Sequence, residues 1–154
     1  PLLRAALSWN FVLATAICAS LLAQLIKVLL NLFIFHRFIA ERMWGAGGMP
    51  SSHSATVCAM VVATGRYCGV NSPLFAIAAV LSIIVMYDAM GVRYETGEQA
   101  KVLNRMFTDW MDQGFEQFQL PHGKKLKEMV GHTPIEVVTG AALGIVLGFA
   151  MPMV

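Results

Sequence analysis

The sequence predicts an all-α integral membrane bundle of about four transmembrane helices, with an amphipathic helix in the interface between the third and the fourth. Three observations carry that prediction. Of the 154 residues, 57% are hydrophobic and only 13% are charged, where a soluble domain carries about a quarter. The apolar residues gather into runs approaching the roughly 20 residues that cross a bilayer. The polar residues gather into one stretch, 91–133. No repeat and no low-complexity segment divides the chain, so it reads as a single domain over 1–154. The 11 Lys and Arg nearly balance the 9 Asp and Glu, a balance that argues against a nucleic-acid partner.

The first apolar run extends from about Trp9 to Phe35, broken only by Gln24, Lys27 and Asn31. It is too long for the apolar core of a signal peptide, and Pro1–Leu7 lacks the basic region and cleavage site of one. The second run, Ser54–Cys68, is short, with Ser-His at its start and Arg66 near its end at the two interfaces. The third is Pro73–Met90, with Ser72 as N-cap and Pro73 at the first helical position. The fourth is Pro134–Val154, opened by a capping box over Thr133-Pro134-Ile135-Glu136. Within 91–133, the segment "KVLNRMFTDWM" places Val102, Leu103, Met106, Phe107, Trp110 and Met111 at helical spacing. Asn104, Arg105, Thr108 and Asp109 lie opposite them. This is either an interfacial helix with Trp110 at headgroup depth or a helix packed on the end of the bundle. Cys18, Cys58 and Cys68 have no metal-type spacing and read as small membrane-helix residues.

Polar groups inside a bilayer are costly, so their positions inform. Gln24, Lys27 and Asn31 share one helix face. Lys27 either snorkels to the interface or points into a polar pocket between the other two. Asp88 falls at the end of the third helix, and Arg93, Glu95 and Glu98 follow it. They form a solvated exit, or Arg93 reaches an anion, or the acids hold magnesium. Capping accounts for Glu136, but nothing structural accounts for His132. Gly140, Gly144 and Gly148 continue the same spacing of four and form a stripe that admits a close neighbour. Ala55, Ala59 and Ala63 form a matching stripe in the second helix. If the stripes meet, two helix starts come together, and so do His53 and His132. With alternating spans, Lys27, His53, Asp88, Arg93 and His132 all fall at one membrane face. Helix N-termini make an anion site there, which Gly47 and Gly48 let the chain approach. Two imidazoles beside a phosphate provide a nucleophile and an acid, enough for phosphomonoester hydrolysis without a metal.

The blocks "GGMPSSHSA", "YDAMGVR" and "GHTPIEVVTGAALG" resemble the divergent membrane branch of the type-2 phosphatidic acid phosphatase, acid phosphatase and vanadium haloperoxidase superfamily. Together they cover most of the chain from Gln24 onward. The resemblance implies that His132 attacks phosphorus and that Glu136, in the place of the family's aspartate, orients it. It implies that His53 protonates the leaving alcohol, within a motif formed by Pro50, Ser51, Ser52 and His53, where Ser52 replaces glycine. Ser51, Ser52 and Lys27 then bind phosphate. Two of the family's arginines are absent. Ile34 stands where the first motif has one, with Arg37 nearest. Leu126 stands where the third has one, between Lys125 and Lys127. Arg93 is the candidate replacement, with Lys127 second. The family has six helices around its site; with about four, a homodimer partner is one source of the missing packing.

These observations predict an integral membrane phosphatase acting on a lipid phosphate monoester through a phosphohistidine, with no cofactor or metal. A non-catalytic protein binding an anionic lipid headgroup and a prenyl diphosphate phosphatase are the alternatives. The polar-loop side carries Arg37, Arg42, Arg93, Lys101, Arg105, Lys124, Lys125 and Lys127, against Arg4 and Arg66 on the other. This bias places the site on the cytoplasmic face of the cell membrane, with Pro1 and Val154 outside. It favours phosphatidic acid or phosphatidylglycerol phosphate as the substrate.

Overall fold

A computed structural model describes residues 10–35, 48–113, 125–128 and 130–153. Within them the chain is an all-α bundle, without a strand. The helices are α1 (Phe11–Phe35), α2 (Ser52–Cys68), α3 (Pro73–Met90), α4 (Val92–Asp112) and α5 (Pro134–Ala150). Trp9, Gly47, Arg4, Arg37, Arg42, Lys124 and the two terminal residues lie outside the described residues.

Helix α2 is the centre, packing against α1, α3 and α5. Its mean hydropathy is the lowest of the four bundle helices, because Ser, Thr and Ala rather than Leu face its neighbours. The buried core is correspondingly small-grained: Ala19 and Ala23 of α1 meet Ala55 and Ala59 of α2, with Leu143 and Leu147 of α5 packed against them. Large apolar side chains face outward instead, among them Leu21 and Leu25 on α1, Ile83 and Ile84 on α3, and Ile135 and Phe149 on α5. That inversion suits a bilayer, where packing rather than hydrophobicity joins helices. Phe11–Phe33 and the helical run Pro73–Asp112 contain segments long and apolar enough to cross a membrane, and α5 is apolar but shorter.

The alanine and glycine stripes meet in parallel. A Cβ on Gly140 would strike the Ser51 carbonyl oxygen, and one on Gly144 would strike the Ala55 carbonyl oxygen. One on Gly148 would lie 2.6 Å from Val62 Cβ and 3.3 Å from the Ala59 oxygen. The starts of α2 and α5 therefore lie together. At the other end Arg66 Nη1 donates to the carbonyls of Gly148 (2.6 Å), Phe149 (3.1 Å) and Met151 (2.8 Å). This occupies the last turn of α5, where carbonyls lack helical partners. The same guanidinium lies 5.6 Å above the Phe11 ring, so the ends of α2 and α5 and the start of α1 share that side.

Element boundaries depart from the sequence expectation in three places. Helix α2 begins two residues earlier, at Ser52, with Ser51 as its N-cap: the Ser51 hydroxyl accepts from the Ser54 amide at 3.4 Å. Helix α5 ends at Ala150, because Pro152 forces Met151 into an extended conformation (φ −66°, ψ 128°). Helix α4 begins at Val92, immediately after a break at Gly91, so the expected solvated exit is itself helical. Its inward face is Gly97, Ala100 and Asn104, small and polar, which hydrophobic periodicity does not register. Gly97 packs against the Glu128 and Val130 carbonyls, where a Cβ would come within 2.6 Å and 2.9 Å. Asn104 clasps the returning strand of chain: its Nδ2 donates to the Leu126 carbonyl (2.9 Å) and Glu128 Oε1 (2.8 Å), and its Oδ1 accepts from the Leu126 amide (2.8 Å).

Candidate active site

The site is built where α2 and α5 begin and α3 ends. His132 precedes the N-cap Thr133 of α5, and Gly131 (φ +87°) turns the chain into it. That turn permits contact so close that a Cβ on Gly131 would overlap the Tyr94 amide. The His132 amide donates to the Ala89 carbonyl at 3.0 Å, tying the segment to the last turn of α3. His132 is only 3% exposed. His53, in the first turn of α2, is exposed. The two rings approach edge to face, with centroids 6.4 Å apart. Together with Val85, Ala89 and Arg93 they line one small cavity.

Glu136 joins the parts. Its Oε2 lies 3.1 Å from His132 Nδ1 and accepts from the Thr133 amide at 3.0 Å, completing the capping box. Its Oε1 accepts from the Gly48 amide at 3.2 Å, and its backbone carbonyl accepts from Ser51 N at 3.0 Å. One side chain thus holds the imidazole, caps α5 and latches the loop before α2. In the tautomer in which Nδ1 donates to this carboxylate, Nε2 keeps its lone pair.

Lys27 is 2% exposed, which favours the pocket over the snorkelling alternative. Its methylenes lie beside Gly48 (φ +89°), where a Cβ would make ordinary contact with them at 3.5–3.7 Å. Its charge acts on Glu136, His132 and His53. Beside it, Gln24 Nε2 donates to Ser52 Oγ at 3.4 Å, while Gln24 Oε1 is buried without a partner among the described residues. Ser51 is buried, its hydroxyl accepting from Ser54 Oγ at 3.0 Å. Arg93 comes from the first turn of α4, and its charge acts on His53.

Of the residues singled out from the sequence, the structure brings together Lys27, Ser51, Ser52, His53, Arg93, His132 and Glu136. Lys127 is exposed, on the segment Asn104 clasps, and lines no part of the cavity. Leu126 is in that same clasp. Asp88 pairs with Arg93, and Glu98 with Lys101. Among the described residues no three His, Cys, Asp or Glu side chains gather to hold an ion. Sequence reasoning missed the clasp by Asn104, the anchoring of His132 to Ala89, and the role of Glu136 in the loop. The capping box and the resemblance give Glu136 its cap and its histidine, but neither points to Gly48.

Burial holds the His132 imidazole below its ordinary pKa, and the Glu136 carboxylate partly opposes that fall. His132 therefore stays neutral to a lower pH than an exposed histidine does. Removing the opposing charge lowers the pKa further. The acid limb of kcat/KM in Glu136→Gln is expected at lower pH than in the wild type, with turnover reduced at every pH. A limb that moves upward or stays in place would separate Glu136 from His132.

A model of the divergent PAP2 family matches residues 8–147. The chain is 40% identical over 144 residues, covering 90% of this chain and 91% of the relative, to the uncharacterized membrane protein YuiD of Bacillus subtilis (strain 168). No solved structure matches.

Proposed function

The chain belongs to the divergent PAP2 family of membrane proteins, and we propose that it is a metal-independent integral membrane phosphatase hydrolysing a lipid phosphate monoester. The single observation behind this reading is the histidine pair, with His132 Nδ1 held by Glu136 and ring centroids 6.4 Å apart at two helix starts. His132 Nε2 attacks phosphorus, the bond to the leaving oxygen breaks, and His53 supplies that oxygen with a proton. Water then cleaves the phosphohistidine, His53 takes its proton, and phosphate departs. Lys27, Arg93 and the hydroxyls and amides around Ser51 and Ser52 offset the charge on phosphorus.

Lipid substrates fit the depth of the site. Each of α2 and α5 has 17 residues, about 25 Å of helix, against a hydrocarbon core of about 30 Å. Their N-termini, and the histidines with them, then sit at or below headgroup level. His53 is exposed and His132 buried, so the leaving alcohol departs on the open side and its chains stay in the bilayer. The excess of Lys and Arg on the loop side favours the cytoplasmic face, and with it phosphatidic acid or phosphatidylglycerol phosphate.

The test is phosphate release by purified protein from phosphatidic acid, phosphatidylglycerol phosphate and a prenyl diphosphate, with and without chelator, repeated in sealed vesicles of both orientations. Monoester hydrolysis that survives chelation, on the cytoplasmic face, is expected. Binding without release would favour the headgroup-binding alternative, for which the absence of an arginine at position 126 speaks. Loss on chelation would end the metal-independent mechanism.

A further inference from the structure

Arg93 stands over the histidine pair, and its Nε donates to Asp88 Oδ2 at 2.5 Å. We infer that Asp88 is a positioning residue: by engaging Nε, it turns the Nη edge of Arg93 toward the phosphate. The inference rests on the reading of the cavity as a phosphate site.

The argument begins at the break between α3 and α4. Asp88 is in the last turn of α3 and Arg93 in the first turn of α4, with Gly91 between them. The pair therefore bridges two helix axes, which an ordinary pair within one helix cannot do. Ala89, the residue after Asp88, accepts from the His132 amide at 3.0 Å through its carbonyl. The same junction thus fixes both the guanidinium and the buried imidazole. A guanidinium has five N–H donors in a rigid fork. Using Nε leaves the four on Nη1 and Nη2, which are the pair suited to two phosphate oxygens. Lysine lacks this division of labour.

Asp88 and Arg93 side chains are 37% and 51% exposed, and an ion pair so open contributes little to stability. Its value lies in direction. A bare carboxylate near a phosphate dianion is repulsive, so Asp88 is tolerable there only while Arg93 faces it. That gives the inference a sign that depends on background. With Arg93 present, loss of Asp88 weakens phosphate binding. With Arg93 absent, loss of Asp88 removes repulsion and strengthens it.

The experiment is calorimetric titration of inorganic phosphate and of vanadate into purified protein in detergent, with lipid phosphate hydrolysis measured alongside. The variants are Asp88→Ala, Asp88→Asn, Arg93→Ala and the double variant. Asp88→Ala is expected to weaken phosphate binding about tenfold and raise KM more than it lowers kcat. Asp88→Asn keeps an acceptor for Nε and should recover most of the loss. In the Arg93→Ala background, Asp88→Ala should leave binding unchanged or tighten it. An equal loss in both backgrounds overturns the inference, as does tighter binding by the single Asp88→Ala variant. Wild type that binds neither anion overturns it together with the phosphate-site reading. Binding that follows the expected pattern without hydrolysis upholds Asp88 and sinks only the catalytic reading.

Discussion

Replacing His132 with alanine is expected to reduce phosphate release by about 10⁴-fold or more, the scale on which loss of a covalent nucleophile acts. His53→Ala should cost about 10²–10⁴-fold, the range for a positioned acid. The asymmetry follows from placement. His132 is buried, is oriented through Nδ1 by Glu136, and has its backbone fixed to Ala89, so no water replaces it in the same geometry. His53 is exposed, and water can carry part of its proton transfer. The two variants also separate by substrate. A phosphate ester with an acidic leaving alcohol, such as a nitrophenyl phosphate, needs little protonation. His53→Ala should lose far less on it than on a lipid alcohol, while His132→Ala loses as much on both. Protein quenched in alkaline detergent during turnover of a labelled lipid phosphate should hold label in the wild type and none in His132→Ala, because the P–N bond of a phosphohistidine survives base and is cleaved by acid. Equal losses for the two variants on both substrates, or label retained without His132, would reverse the assignment.

The fold was legible where a residue type had one structural use. Ser72-Pro73 marked the start of α3, and its hydroxyl does accept the Phe75 amide at 3.2 Å. The glycine and alanine stripes marked a parallel α2/α5 contact, because at a spacing of four only close backbone approach explains them. From that contact alone the two histidines could be brought together. Less was legible where one residue has two uses. Glu136 reads as a cap and, through the resemblance, as the group that orients His132, but it is also the acceptor of the Gly48 amide. Asp88 reads as an exposed helix end and is also the partner of Arg93. Asn104 reads as the polar face of an amphipathic helix, yet it faces inward to bind the backbone of Leu126. The Asn104–Leu126 and Glu136–Gly48 contacts join segments distant in sequence, of which local periodicity carries no trace, and the Asp88–Arg93 pair spans the break at Gly91, which that periodicity does not mark either.

Gly144→Ala is expected to damage the protein severely, though it adds only one methyl group. The ideal Cβ would overlap the Ala55 carbonyl oxygen and come within 2.9 Å of the Ala55 Cα. Those are backbone atoms inside α2, so no rotamer change relieves them, and α2 and α5 must separate. Overpacking of a core typically costs about 1–3 kcal/mol, and here the strain falls on the contact that aligns the helix starts carrying His53 and His132. We expect a lower thermal midpoint in detergent and near-complete loss of hydrolysis, with His53 and His132 still present. Gly148→Ala should differ in kind. There the nearest atoms are Val62 Cβ at 2.6 Å and Cγ1 at 2.8 Å, with the Ala59 oxygen at 3.3 Å. The two closest contacts are with the Val62 side chain, so Val62→Gly, which removes both atoms, should restore hydrolysis to Gly148→Ala in large part, and Val62→Ala, which keeps Cβ, should restore less. No substitution at position 55 should rescue Gly144→Ala, because its obstacle is a carbonyl that every residue carries. Val146→Leu, on the exposed face of α5, should leave both readouts as they are. Rescue of Gly144→Ala by Ala55→Gly, or a harmless Gly144→Ala, would show that α2 and α5 do not cross as closely as this geometry requires.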